Sequence, residues 1–123
     1  MQNIIIGIDI GSKTLDICVK ELENVEHFCI ENTQKEIKKF FKSYSKQKLI
    51  VAMENTGRYN WNLYEVLENT DFKIYIINPL HLIKSMGFIR GKNDKIDAYR
   101  IATFIEKNQK EIVQWIQTNK SFR

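Results

Sequence analysis

Apolar and polar residues follow a strand-like pattern through the first part of the chain. A nearly continuous β-branched run at Ile4–Ile10 predicts a strand that is buried on both faces of a sheet. Alternation over Thr14–Leu22 and again over Val25–Glu31 predicts two more strands, joined by tight turns in an antiparallel meander. A two-residue turn between these last two strands would place Cys18 opposite Cys29.

The rest of the chain alternates helices with short strands. Thr33 followed by Glu36 is a capping box, which predicts a helix running to about Lys46. The later elements are a strand at Leu49–Met53 ending on Glu54, a helix with Tyr59, Leu63, Val66 and Leu67 on its apolar face, a strand at Phe72–Ile77, a helix capped by Asn78 and opened by Pro79 that runs to about Phe88, a loop at 90–93, and a final helix from Asp94. Crossover connections of this kind require the later strands to run parallel to the first. The order predicts an α/β fold of the ribonuclease H-like class, with a mixed five-stranded sheet and flanking helices.

Four acids fall at positions that this architecture brings together. Asp9 lies in the central strand, and Glu54 ends the strand beside it. Asp94 and Asp97 are three residues apart at the start of the last helix, so they point the same way, toward the apolar stripe that continues with Ala98, Ile101 and Ile105. Inward acids are costly unless they are paired or bound to a metal. The alternative is that Asn93 caps the helix, Asp94 complements its dipole, and the other acids belong to a strand end and a turn.

Oxygen ligands without histidine or cysteine select Mg²⁺ or Mn²⁺. Four carboxylates gathered at one place repel one another unless such cations neutralise them. Two ions about 3.5–4 Å apart can activate an attacking oxygen and stabilise the leaving oxygen of a phosphodiester. The acids therefore favour phosphoryl transfer on nucleic acid over the separate structural roles.

Composition narrows the class of protein. The chain has 123 residues, of which 43% are hydrophobic, and this suits one domain with a sizeable core. It has no apolar stretch of membrane-spanning length and no secretory leader pattern, so we expect a soluble, cytoplasmic protein. Two cysteines are too few for a disulfide framework, and they lack metal-ligand spacing.

The net charge of +4 is a weak indication of a polyanionic partner, and the positions of the charges add to it. One cluster follows the first helix, where a solvated face is favoured over a binding face; it contains Lys35, Lys38, Lys39, Lys42, Lys46 and Lys48. A second cluster surrounds the paired acids and contains Lys84, Arg90, Lys92, Lys95 and Arg100. Cations beside inward carboxylates suit a phosphate-bearing substrate.

Four segments, taken in order, resemble one protein family. They are G-I-D at residues 7–9, E-N-T-G-R-Y at 54–59, N-P at 78–79 and D-K-I-D-A at 94–98. Together they resemble the N-terminal domain of the DEDD-motif insertion-sequence transposases, the family that includes the Piv DNA invertases. The resemblance extends from about Ile4 to Ala102, and the second and fourth segments are its most specific parts.

The resemblance implies a function. In that family the domain is RuvC-like, four acids bind Mg²⁺, and members are recombinases of mobile elements, some directed by an RNA that pairs with donor and target DNA. It implies that the catalytic residues and metal ligands here are Asp9, Glu54, Asp94 and Asp97, with Mn²⁺ able to substitute for Mg²⁺. It also implies DNA as the partner and a guide RNA as a candidate second partner. We expect no membrane partner, and a homo-oligomer in the full-length protein.

Nucleic acid should contact this domain mainly through its backbone charge. The residues expected to bind it surround the acids and are Lys13, Arg58, Tyr59, Arg90, Lys92, Lys95 and Arg100. For Tyr59 and Trp61 the sequence favours packing at the start of a helix. The alternative is that these rings stack on bases.

The C-terminal part of the sequence departs from the family pattern. We expect residues 1–108 to form the RuvC-like DEDD domain, and residues 109–123 to be an extension or the start of a connection to a missing domain. Family members carry a C-terminal domain with a serine nucleophile, and Ser121 here has no base or oxyanion motif near it. The chain therefore resembles a fragment that does not complete strand exchange alone. Four apolar residues in this segment are expected to pack onto the domain: Ile112, Val113, Trp115 and Ile116. The alternative is that they begin the connection to the missing domain.

Three other functions compete with this interpretation. The segment at residues 7–14 also resembles the first phosphate-binding turn of sugar kinases and Hsp70-like ATPases, but these proteins need a second lobe and a second phosphate motif. A stand-alone RuvC-like nuclease would need only the acids. A non-enzymatic nucleic-acid-binding module would bind with strong salt dependence and would not cleave.

Overall fold

A six-stranded mixed sheet organises the structure, a computed structural model that describes residues 3–86, 94–112 and 114–115, with the side chains of residues 85, 86 and 94 excepted. The strands are β1 (Ile4–Ile10), β2 (Thr14–Glu21), β3 (Asn24–Glu31), β4 (Leu49–Glu54), β5 (Lys73–Ile77) and β6 (Gln114–Trp115). Their spatial order is β3-β2-β1-β4-β5-β6. β1 pairs antiparallel with β2 and parallel with β4, and β5 pairs parallel with β4. The predicted mixed α/β sheet and its five strands are confirmed, and the described chain adds a sixth.

Four helices flank the sheet in the described chain. They are α1 (Gln34–Lys42), α2 (Trp61–Leu67), α3 (Pro79–Met86) and α4 (Asp94–Asn108), and single turns of 3₁₀-helix occupy Gly57–Asn60 and Gln109–Glu111. Two predicted caps are present: the Thr33 hydroxyl accepts from the Glu36 amide at 3.3 Å, and Asn78 Oδ1 accepts from the Leu80 amide at 2.9 Å. α1 ends at Lys42 rather than at the predicted Lys46, and turns occupy residues 43–46. The predicted end of α3 at Phe88 and the loop at 90–93 lie outside the described residues.

The hairpin of β2 and β3 has a different register from the predicted one. Cys18 lies opposite His27, and Cys29 lies opposite Asp16. The turn residues are Leu22 and Glu23 rather than Glu23 and Asn24, and Leu22 has a φ of 57°. Cys18 thus pairs with residue 27 instead of residue 29. A shift by two residues leaves the same side chains on each face of the sheet, so the alternation of apolar residues could not distinguish the two registers.

Two apolar cores cover the two faces of the sheet. α1 and α2 pack on one face through Ile37, Phe41, Leu63, Val66 and Leu67. α4 and α3 cover the other face through Leu82, Ile101, Phe104 and Ile105. Full burial of an aliphatic side chain of this size contributes about 1.5–3 kcal/mol. Ala98, Ile101 and Ile105 are all 0% exposed, which confirms the predicted inward stripe of α4.

The end of the described chain packs on the same domain. β6 pairs antiparallel with β5, placing Trp115 beside Ile74, and the Trp115 ring stacks on Tyr64 with 5.2 Å between centroids. Ile112 packs against the core beneath α4. These two residues adopt the favoured packing arrangement, whereas Val113 and Ile116 lie outside the described residues. The division of the chain at residue 108 stays a prediction.

Candidate active site

Asp9 lies on the face of the sheet that α4 covers. Side chains alternate along β1, so Ile6, Ile8 and Ile10 enter the core under α1 and α2 while Gly7 and Asp9 face the other way. The Asp9 side chain is 4% exposed. An acid this deeply buried beside a helix is costly to maintain without a compensating partner.

Glu54 occupies the corresponding position on the neighbouring strand. Val51 and Met53 of β4 belong to the core under α1 and α2, so Glu54 lies on the α4 side, where it is 2% exposed. The parallel register pairs Ile8 with Met53. Continuing it by one residue puts Asp9 and Glu54 side by side at the carboxyl edge of the two strands.

Asp97 is the third buried acid, at 1% exposure. It precedes Ala98, whose carbonyl oxygen packs directly against Gly7 of β1. This contact brings the start of α4 to the stretch of β1 that carries Asp9. The side chain of Asp94, the fourth predicted acid, lies outside the described residues, as does the expected cap Asn93.

The described side chains do not complete a metal centre on their own. Within residues 3–84, 95–112 and 114–115, no three or more His, Cys, Asp or Glu side chains are grouped closely enough to hold a metal ion. The three buried acids Asp9, Glu54 and Asp97 nevertheless share one face of the sheet. All their donor atoms are carboxylate oxygens, which is the ligand chemistry of Mg²⁺ and Mn²⁺.

Gly7 and Asp16 belong to this site and were not predicted. A Cβ atom at Gly7 would lie 2.5 Å from the Ala102 amide nitrogen and closer still to the Ala98 carbonyl oxygen, so only glycine permits α4 to approach β1 this closely. Asp16 of β2 lies directly opposite Asp9 in the antiparallel pair and is half-buried. The alternation of β2 put Asp16 on the polar face, but only the register shows that its neighbour is Asp9.

Asn60 holds the loop that follows Glu54. Its side chain is fully buried, donates to the Glu54 carbonyl oxygen at 3.3 Å, and accepts from the Thr56 amide at 2.9 Å and the Thr56 hydroxyl at 2.6 Å. Gly57 has a φ of 76°, the left-handed conformation that glycine adopts without strain. These bonds give the E-N-T-G-R-Y segment a fixed shape at the edge where Glu54 ends. The sequence signal for Asn60 was only its position one residue beyond the motif.

Asn32 connects this loop to the first hairpin. Its Nδ2 donates to the Gly11 carbonyl oxygen at 2.8 Å and to the Tyr59 carbonyl oxygen at 3.1 Å, while its own amide donates to the Lys13 carbonyl oxygen at 2.9 Å. The Asn62 side chain in turn donates to the Asn32 carbonyl oxygen at 2.8 Å. The two loops beside Asp9 and Glu54 are therefore held together by asparagines that the sequence did not single out.

The structure places most of the predicted nucleic-acid-binding residues. Lys13, Arg58 and Lys95 are exposed and Arg100 is half-buried, whereas Arg90 and Lys92 lie outside the described residues. Lys13 and Arg58 flank the loops that Asn32 joins, at the carboxyl edge of β1 and β4. Lys95 and Arg100 lie on α4, within three residues of Asp97.

The two aromatic rings of the loop are exposed to solvent. Tyr59 is 39% exposed and Trp61 is 61% exposed, so neither ring is buried at the helix start as favoured, although the Trp61 ring meets the Tyr64 ring edge-on with 6.1 Å between centroids. The reason is that Tyr59 lies in a turn of 3₁₀-helix before α2 and does not share the face of Leu63. The Arg58 guanidinium lies 5.5 Å from the centre of the Tyr59 ring. Both rings are accessible to solvent, as the alternative role of stacking on bases requires.

Cys18 lies beneath α4, where it packs with Ala98 and Ala102. Burial raises the pKa of its thiol to about 11, against a smaller lowering by Lys20. The thiol therefore stays protonated at neutral pH and is a packing group rather than a nucleophile.

Comparison with known proteins agrees with this fold. The sequence model of a family of transposases, of the DEDD type found in IS110 elements, matches residues 6–121. No curated protein sequence matches the chain significantly. A solved structure of Thermus thermophilus RuvC in complex with a Holliday junction substrate is similar, with a TM-score of 0.60 at 14% identity over 91% of this chain and 99% of that one. A second Thermus thermophilus RuvC structure has a TM-score of 0.60 at 13% identity over the same shares of the two chains. The fold is therefore RuvC-like, within the ribonuclease H-like class.

Proposed function

Because this chain belongs to the DEDD transposase family, we propose that it provides the catalytic domain of a mobile-element recombinase, which cleaves and transfers DNA strands by metal-dependent phosphoryl transfer. The observation that carries the proposal is the burial of Asp9, Glu54 and Asp97 on one face of the sheet, at 4%, 2% and 1% exposure. Asp94, one helical turn before Asp97, completes the proposed set of four acids.

The proposed metal is Mg²⁺, with Mn²⁺ as a substitute. The donor set fits, because the buried acids Asp9, Glu54 and Asp97 offer carboxylate oxygens, the ligands that Mg²⁺ and Mn²⁺ prefer. When bound, such ions activate the attacking oxygen and stabilise the leaving oxygen of a phosphodiester. Asp9 and Glu54 would hold the metal from the strand ends, and Asp94 and Asp97 would hold it from the start of α4.

The other residues of the site would position DNA. Lys13 and Arg58 would contact phosphates at the loop edge, and Lys95 and Arg100 would contact them beside α4, because exposed cations neutralise the backbone without reading its sequence. Tyr59 is accessible for stacking on an unpaired base. A guide RNA would be a further partner, and homo-oligomerisation and a cytoplasmic location complete the proposal.

A second candidate is a nuclease that cleaves branched DNA without strand transfer. The structure of RuvC with a Holliday junction substrate favours it, since that protein shares the fold of this one. The two candidates use the same acids and differ in the fate of the cleaved strand. Because this chain resembles a fragment that does not complete strand exchange alone, the assay that distinguishes them adds a serine-bearing C-terminal domain of the family and detects rejoined products, which only the recombinase would form.

The test is cleavage of labelled branched DNA by wild type and by Asp9→Asn, Glu54→Gln and Asp97→Asn. We expect Mg²⁺-dependent products from wild type and a loss of about a hundredfold or more in each variant, since losing a charged ligand weakens charge stabilisation in the transition state by several kcal/mol. Asp71→Asn is the matched control, because Asp71 is exposed and precedes β5 at the opposite end of the sheet. Its activity should equal that of wild type.

Cleavage that persists in chelator, or that survives in all three acid variants, would contradict the proposed chemistry. Salt-sensitive DNA binding with no cleavage under any condition would instead support a non-enzymatic binding module. These outcomes are separable because binding is measured on the same samples by fluorescence anisotropy.

A further inference from the structure

The solvent face of α1 carries a row of lysines. Residues at positions i, i+3, i+4 and i+7 share one face of a helix, and here this face, which we call the basic stripe, consists of Lys35, Lys38, Lys39 and Lys42. The opposite face of α1 is buried through Ile37 and Phe41. All four lysines are exposed.

Lysines outnumber acids in the segment that carries the basic stripe. Residues 33–48 contain six lysines and a single acid, Glu36. Within the described part of the chain, no ion pair involves a lysine of the stripe. Glu65 lines the same groove as Lys38 and Lys42 and makes no salt bridge with them. Like charges at these helical spacings repel, so a face that served only solubility would be expected to intersperse acids.

The basic stripe leads away from the candidate active site on the other face of the sheet. α1 packs on the face opposite α4, so the stripe and the buried acids cannot contact the same nucleotides. The start of α1 is nevertheless tied to the acid edge, because Asn32 bonds to Lys13, Gly11 and Tyr59. Lys35, the first lysine of the stripe, follows Asn32 by three residues, and Lys46 and Lys48 are exposed beyond the stripe.

We propose that the basic stripe binds the phosphate backbone of duplex DNA that extends beyond the segment held at the acid edge. Four lysines within eight residues span about 10 Å of helix axis, a length over which one DNA strand presents about three phosphates. The stripe has no exposed ring for stacking, because Phe40, Phe41 and Tyr44 pack against one another. Backbone contact without stacking suits a duplex rather than a single strand. The choice of DNA rests on the proposed function; the charge argument does not.

The test compares two variants that each lose three positive charges. The stripe variant is Lys35→Gln, Lys38→Gln and Lys42→Gln, and the matched control is Lys73→Gln, Lys107→Gln and Lys110→Gln, exposed lysines outside the stripe. Binding of a long DNA duplex is measured in chelator at several salt concentrations, so that no cleavage chemistry enters. We expect the stripe variant to bind about tenfold or more weakly at low salt, with its slope of log affinity against log salt reduced by up to about 2.7. The control should keep the wild-type slope.

Equal losses in the stripe and control variants would overturn the proposal, since only overall charge would then matter. A duplex RNA or a single strand that depends on the stripe more strongly than duplex DNA does would show that the occupant is wrong. If the triple variant folds poorly, single Lys→Gln variants at Lys35, Lys38 and Lys42 provide a second measurement. Each should produce about a third of the change in slope that is expected for the triple variant. Absence of metal-dependent cleavage would count against the proposed function, while the difference between the two variants would still decide the role of the stripe.

Discussion

Cys18 shows how a neighbouring helix determines the chemistry of one side chain. The thiol has a folded-state pKa of about 11 against an ordinary value of 9.0, because α4 buries it. A raised folded pKa means that the stabilising effect is complete below pH 9 and is lost as the pH rises from 9 to 11. We expect this loss to be on the order of 2–3 kcal/mol in the free energy of unfolding. Urea titrations of wild type and Cys18→Ala between pH 7 and pH 11 measure it.

The test depends on the difference in stability between wild type and Cys18→Ala. Burial also raises the pKa of Tyr44 and Tyr64, so both tyrosines lower the stability of both proteins at alkaline pH. Cys18→Ala should be less stable than wild type at pH 7, since it leaves a small cavity, and its disadvantage should shrink toward pH 11. Exposed Cys29 provides an internal control in thiol labelling: it should react in the folded protein, whereas Cys18 should react only on unfolding. A constant gap between the two proteins across the pH range would show that the Cys18 thiol ionises freely in the fold.

At the same scale, the sequence predicted that three acids are buried but not which residues hold the loops beside them. The burial of Asp9, Glu54 and Asp97 follows from apolar patterning, which places them on buried strands and on an inward helix face; their role in a metal site stays a prediction. The role of Asn32 could not be predicted, since its side-chain amide donates to carbonyl oxygens that are 21 and 27 positions away in the chain. Partners at that separation become visible only when the strands are arranged in space.

The contact of α4 with β1 links the elements that carry the acids. Gly7 leaves no room for a methyl group, because backbone atoms of Ala98 and Ala102 occupy the position. Gly7→Ala should therefore push α4 away from the sheet, at a cost of about 3 kcal/mol or more, the upper end of overpacking penalties, since backbone cannot rotate aside. Displacing α4 also moves Asp97 away from Asp9. Thermal unfolding and a Mg²⁺ titration of the folded variant at low temperature measure the two effects.

Gly11→Ala is the matched control for this substitution. A methyl group there would lie 3.0 Å from the Thr14 carbonyl oxygen, with the next atoms at 4.0 Å, in the turn after β1. We expect a smaller loss of stability and an unchanged response to Mg²⁺. A Gly7→Ala protein as stable as wild type would mean that α4 is not held against β1 in the way the structure shows.

Elements were predicted better than their pairings. Strand and helix positions follow from apolar periodicity, but the β2–β3 register depends on a turn at Leu22 and Glu23 that the alternation leaves open. β6 was not predicted because two residues show no periodicity. What places it is the pairing of Trp115 with Ile74 and the stacking of its ring on Tyr64, both of which join distant parts of the chain.

For the whole molecule, the order of elements determines where chemistry can occur. β1 and β4 run parallel, so their carboxyl ends lie at one edge, and α4 crosses the adjoining face in contact with β1. The chain order predicted the parallel pairing of these strands, since crossover connections leave few alternatives. Among the described helices, none has the length and apolar character needed to cross a membrane.

The proposed metal site predicts how a divalent metal should change the stability of the whole fold. Asp9, Glu54 and Asp97 are all less than 5% exposed. In the proposed site their like charges repel unless a cation neutralises them. A metal that binds only the folded state stabilises it by mass action, by about 2.7 kcal/mol at a concentration one hundred times its dissociation constant. Wild type should therefore melt higher in Mg²⁺ than in chelator. Asp97→Asn should melt higher than wild type in chelator, because one buried charge is gone, and should lose most of the gain from Mg²⁺. Asp71→Asn, which changes an exposed acid, should keep that gain. If Asp97→Asn instead melts lower than wild type in chelator and still responds fully to Mg²⁺, Asp97 is a structural acid of the helix start and the proposed metal site is wrong.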